Sequence, residues 1–136
     1  MKLCDEIITV FNARYDEETG YDIYVPTVII GASWYCEIES AVDSTGLKAA
    51  NKFTIRIPAD AYFSDKEYVT PAAYAAADPD TAFTLRSGDI IIRGRETDDT
   101  MTPTTLKAKY GEIVTVLGVT DNRRAPNAKH WKVVGA

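Results

Sequence analysis

The stretch from Tyr110 to Val134, YGEIVTVLGVTDNRRAPNAKHWKVV, constrains the fold more than any other part of the chain. It reads as two strands, 112–121 and 130–134, joined by a polar connection carrying Asn122, Arg123, Arg124, Pro126 and Asn127. β-Branched and aromatic residues crowd both arms and turn formers fill the connection, so the pattern predicts a hairpin. A chain that ends this way needs other strands to cover the hairpin, because an isolated two-stranded ribbon is marginal in water.

The rest of the sequence supplies them. Residues 5–15 form a first strand, with Ile7 and Phe11 marking its expected core face, and Asp16–Gly20 makes a polar turn in which Gly20 takes a positive φ. The return arm, 21–39, is rich in Tyr, Ile, Val and Trp. Pro26 makes this arm an edge strand or breaks it, and Gly31 marks a bend or bulge. Residues 40–50 read as a loop. In 52–57, Phe53, Ile55 and Ile57 alternate with Lys52, Thr54 and Arg56, the pattern of a strand with one buried face, and Pro58 ends it. Three consecutive isoleucines, Ile90 to Ile92, predict a strand buried on both faces. Thr70-Pro71 and Thr102-Pro103 each open a short helix, the second closing at Gly111. There is no βαβ rhythm, no internal repeat and no low-complexity linker. The fold expected is a single, mainly β domain over 1–136: a small β-barrel or sandwich with one or two short helices and a long insertion loop.

That insertion, 59–81, has no strand period and carries Tyr62, Tyr68 and Tyr74. It reads either as a binding surface or as a loop whose tyrosines lid the core. Arg123 and Arg124 are the one notable basic spot. They suit an acidic partner surface or a phosphate, or are solvated turn residues. These five residues are the candidate protein interface.

Evidence for catalysis is thin. His130 is the sole histidine, and neither a pairing with a cysteine nor one with Asp121 has a third orienting group in its sequence context. Glu96, Asp98 and Asp99 read as a solvated acidic loop, and the acids at 16–18 lack the alternation of a calcium loop. Cys4 and Cys36 are too few for a zinc site; a cross-strand disulfide between them is conceivable, and reduced, buried thiols are expected. Neither GxGxxG nor a Walker A pattern is present. No catalytic residue, cofactor or metal ligand is therefore nominated.

Charge narrows the partners. Fifteen Lys and Arg against 20 Asp and Glu give a net charge of -5, a poor balance for clamping a phosphate backbone, so no specific nucleic-acid binding is expected. The longest apolar runs fall far short of the roughly 20 residues of a membrane helix. The acids at Asp5 and Glu6 do not suit a secretory signal.

The order FTLRSGDIIIRG, then a short TL-containing segment, then VTVLGVTDNRRAPNAKHWKVVG resembles a family of small proteins encoded among the head and tail-connection genes of tailed phages and prophages of Gram-positive bacteria. ITVFNARYDEETGYDIYVPTVIIGASWY is similar to that family's opening hairpin and Trp-bearing arm, and FTIRIP to its central strand. The resemblance implies a non-enzymatic virion structural protein, such as a head–tail connector, head-closure or neck component. It further implies a homo-oligomer, such as a ring, that touches portal, capsid or tail proteins in the host cytoplasm during assembly and then in the virion. The alternative is an OB- or SH3-like module binding nucleic acid or a small ligand, with Tyr24, Trp34 and Tyr35 as stacking aromatics.

Overall fold

The computed structural model describes residues 5–43, 46–124 and 126–136, with backbone alone over 37–51. Six strands carry the fold: β1 (Glu6–Asp16), β2 (Tyr21–Asp43), β3 (Gly46–Pro58), β6 (Ile90–Arg93), β7 (Ile113–Asp121) and β8 (His130–Gly135). They pair in the order β1-β2-β3-β8-β7-β6, and β6 returns to β1, so the ring closes. The barrel is not evenly round. The first half of β2 pairs with β1 and its second half with β3, while β7 passes from β6 to β8, so the ring folds at these two strands into two facing sheets.

Each fold line has a local cause. Glu6 pairs with Ala32 but Ile7 pairs with Ile30, which leaves Gly31 as an extra residue at φ +105°, a conformation side chains resist. On β7, Leu117 is the extra residue, and it is left exposed. Pro26 interrupts nothing, because the half of β2 that contains it has a ladder partner on one side only.

The insertion 59–81 covers that open side. Tyr62 and Ile30 exchange both backbone hydrogen bonds at 3.0 Å, Ser64 Oγ donates to the Val28 carbonyl at 2.6 Å, and Lys66 Nζ donates to the Pro26 carbonyl at 3.0 Å. An edge that would otherwise template aggregation is thus closed by the same chain. Within the insertion, α1 (Pro71–Tyr74) is a single turn, and β4 (Glu67–Tyr68) pairs in parallel with β5 (Ala82–Phe83), which directly follows the insertion.

Ile8, Val10, Ile29, Ile55, Ile57, Phe83, Ile91, Val114, Trp131 and Val133 fill the barrel interior. Phe11, Ile90 and Ile92 point the other way, under Leu106 of α2 (Pro103–Lys109), which is held by a reciprocal Thr102–Thr105 capping box. Isoleucines 90–92 therefore serve both clusters, as their run predicts. The core face of β1, however, is the Ile8/Val10 phase; Phe11 looks outward and is buried because α2 covers it.

A second correction concerns residues 40–50. Residues 40–43 and 46–50 are strand, continuing the β2–β3 ladder as far as Asp43↔Gly46, because register set by the barrel propagates outward through polar sequence, and 44–45 lie outside the described residues. Cys36 is free and exposed rather than buried, and Cys4 lies outside the described residues. No helix among the described residues is long and apolar enough to cross a membrane.

Candidate functional site

The five candidate interface residues do not converge. Tyr74 is 1% exposed, with the Arg14 and Arg86 guanidinium groups 4.8 and 5.4 Å from its ring centre. Arg14 also donates to the carbonyls of Tyr74 and Ala77 at 3.0 Å, which fixes the short α1 turn with its tyrosine facing inward. Tyr74 is therefore no contact residue; burial pushes its phenol above the ordinary range. Tyr62 is 51% exposed, and its backbone is tied to β2. Arg124 is exposed and close enough to Asp121 to help lower that carboxyl.

Tyr68 and Arg123 do meet. Tyr68 packs at 4.7 Å from Trp131 and 5.9 Å from Phe83, and Phe63 completes the group at 5.2 Å from Phe83 and 5.9 Å from Trp131. Arg123 roofs this cluster. Its guanidinium carbon lies 4.8 Å from the Trp131 ring centre and 5.0 Å from that of Tyr68. The same guanidinium donates to both Asp121 oxygens, Nε at 2.9 and 3.1 Å and Nη2 at 2.7 Å. That forked pairing holds the Asp121 carboxyl below its usual range, and burial raises the Tyr68 phenol while Arg123 pulls it back. Arg123 is thus built into the fold as a clamp between the final hairpin and the insertion. Its partners Tyr68 and Trp131 could not be paired from spacing, being 63 residues apart in sequence.

The lone histidine is equally committed. His130 Nδ1 lies 2.6 Å from the Ala128 carbonyl, so Nδ1 carries the proton, and Nε2 faces the Asn122 amide at 3.3 Å. Among the described residues it meets neither thiol nor carboxylate. Glu96 is a correction too. It is buried, and Oε2 accepts from Lys109 Nζ at 2.7 Å and Tyr110 Oη at 2.6 Å, so the carboxyl is held at about 2 and the loop is pinned to the end of α2. Asp89 is the other buried acid among the described residues. It accepts from Asn12 Nδ2 at 2.8 Å, Ala13 N at 3.2 Å and Arg86 Nε at 3.0 Å. Burial raises this carboxyl and those donors draw it back. Both acids sit where they join segments of the fold. Among the described residues no cluster of His, Cys, Asp and Glu could hold a metal ion.

The supposed aromatic platform also separates. Trp34 turns inward onto Phe53 at 5.5 Å and Tyr24 packs beside the α2 cluster, leaving Tyr35 outward, 57% exposed. Around Tyr35 the outer face of β3 and β8 presents Lys52, Thr54, Arg56 and Lys132, which with it line a shallow depression of about 350 Å³. Sequence periodicity gave Lys52 and Arg56 as the wet face of β3, but only the β3–β8 register sets Lys132 opposite Arg56.

Past that face the backbone does something the barrel does not need. Among the described residues, β2 and β3 pair only with each other from Glu37↔Lys52 to Asp43↔Gly46; β1 reaches Ala32 and β8 reaches Phe53. The result is a two-stranded ribbon of seven pairs, roughly 24 Å long at the usual strand rise.

One comparison with known proteins bears on this arrangement, a sequence profile that matches residues 3–136. The chain belongs to DUF6751, a family of unknown function. No curated protein and no solved structure matches it. The clamp, the cationic face and the ribbon all lie within the span that defines this DUF6751 member.

Proposed function

We propose that this DUF6751 chain is a structural subunit that assembles with copies of itself, as a head–tail connector, head-closure or neck component of a tailed phage or prophage would, and that it carries out no chemistry. The ribbon beyond the barrel is the observation that carries the reading. Seven strand pairs whose outer edges meet no other strand among the described residues are marginal on their own, and unpaired N–H and C=O rows are templates for another chain. An extension of this kind is stabilised when a neighbour completes it. The sequence resemblance to phage connection proteins supplies the setting, with portal, capsid or tail proteins as the further partners.

Sedimentation over a wide concentration range tests the reading. The intact chain is expected to form a closed oligomer, and replacing residues 38–51 by an Asn-Gly turn is expected to leave the barrel folded and abolish the oligomer. A chain that stays monomeric at every concentration, alone and beside phage portal or tail proteins, overturns it. Terminase, portal and capsid genes flanking its own would support the phage setting.

A further inference from the structure

We infer that assembly is head to tail: the tip of the β1–β2 hairpin in one copy docks on the outer β2–β3–β8 face of the next. This deepens the self-assembly reading and rests on it.

The receiving face is cationic on an otherwise acidic protein. Arg56 and Lys132 sit directly opposite each other across the β3–β8 ladder, an arrangement that costs stability unless an anion relieves it. Among the described residues neither has a carboxylate partner. Exposed Tyr35 lies on the same face, one strand over, paired with Thr54. The face therefore offers two unneutralised cations, their aliphatic stems and one aromatic ring.

The hairpin tip offers the complement. Asp16 is spent inside the turn, accepting from Glu18 N and Thr19 Oγ1 at 3.1 Å, which leaves the exposed Glu17, Glu18 and Asp22 to face outward. Tyr15, Tyr21 and Ile23 flank them at 66%, 76% and 41% exposure. These are three of the six large hydrophobic side chains the described surface exposes; the register sets Tyr15 beside Asp22 on one face of the hairpin and Tyr21 with Ile23 on the other, so the tip carries exposed apolar surface on both sides. Acids at a tip with a tyrosine on either face suit a cationic surface with a tyrosine of its own, through ion pairs and ring stacking or cation–π contact.

The two surfaces cannot satisfy each other within one chain. They lie on the same strand, Tyr21 to Tyr35, separated by up to about 45 Å of extended backbone less the bend at Gly31. Two different complementary patches on one subunit generate a heterologous contact, which closes as a ring or continues as a filament. Net charge of -5 weighs against the other polyanion that could use the face, a nucleic-acid backbone.

A charge swap tests this. The face variant carries Arg56→Glu and Lys132→Glu, and the tip variant carries Glu17→Lys and Glu18→Lys; all four positions are at the surface, and circular dichroism verifies the fold of each. Each variant alone is expected to lose association by at least about tenfold in sedimentation equilibrium. An equimolar mixture is expected to regain it, since every contact then joins an acidic to a basic surface. Variants that associate as the intact chain does, or a mixture that fails to recover, overturn head-to-tail docking while self-assembly stands. An intact chain that never associates overturns both. Salt-sensitive retention of the intact chain on an oligothymidylate, lost in the face variant while its association is unchanged, assigns the face to nucleic acid instead.

Discussion

Arg123 discriminates between a residue held by its own fold and one kept free for a partner. Truncation by Arg123→Ala removes two cation–π contacts, at 4.8 and 5.0 Å, each worth about 0.5–1 kcal/mol at an exposed site. It also removes the forked pair with Asp121, worth about 0.2–1 kcal/mol on a surface. The two partners' side chains are 43% and 44% exposed, so the lower half of each range applies, and the total comes to about 1.5 kcal/mol. With an unfolding entropy near 2.1 cal/mol/K per residue, a chain of this length loses about 5 °C in Tm. Differential scanning calorimetry reads this directly. Arg123→Lys keeps a charge but loses the flat fork and the stacked plane, so it should forfeit about half as much. Salt near 1 M should remove the Asp121 share and leave the ring contacts, so Asp121→Asn loses its effect there while Arg123→Ala keeps most of its own. A Tm shift under about 1 °C for Arg123→Ala, with two-state melting retained, would refute the clamp and return Arg123 to the pool of partner-binding residues.

Three further outcomes follow from the geometry. Gly135→Ala places a Cβ 2.8 Å from the Thr115 carbonyl oxygen and 3.2 Å from Val114 Cβ, so a urea midpoint corresponding to a loss of about 1–3 kcal/mol is expected, and an unchanged midpoint would show that β7 yields freely. Asn12→Ala leaves the Thr84 backbone N–H and carbonyl and the buried Asp89 carboxylate each short of a partner, which should cost about 2–4 kcal/mol in the same assay; a loss under about 1 kcal/mol contradicts it. The folded pKa of Glu96, about 2, lies below the unfolded value near 4.5, so its contribution is fully present above about pH 4.5 and is lost as pH falls toward 2. Glu96→Gln should therefore flatten that part of the acid-stability curve, and an unaltered slope between pH 4.5 and 2 would remove Glu96 from the account.

Much of the barrel follows from neighbours close in sequence. Alternation fixes the inner face of Phe53, Ile55 and Ile57, three isoleucines fix a strand covered on both sides, and Gly20 and Gly31 mark a turn and a bulge because few other residues accept their φ. The Thr-Pro pairs set both helix starts for the same local reason. What periodicity alone could not decide are matters of partnership across the fold. Residues 40–43 and 46–50 are strand because a ladder begun at Ser33↔Arg56 carries them outward. Glu96 is an anchor because Lys109 and Tyr110 come round to it, and Tyr74 is core because Arg14 turns it in. Arg56 and Lys132, 76 residues apart, become one cationic face only when β3 and β8 lie side by side. Periodicity records which side of a strand is wet; only closure of the barrel decides what each wet residue faces.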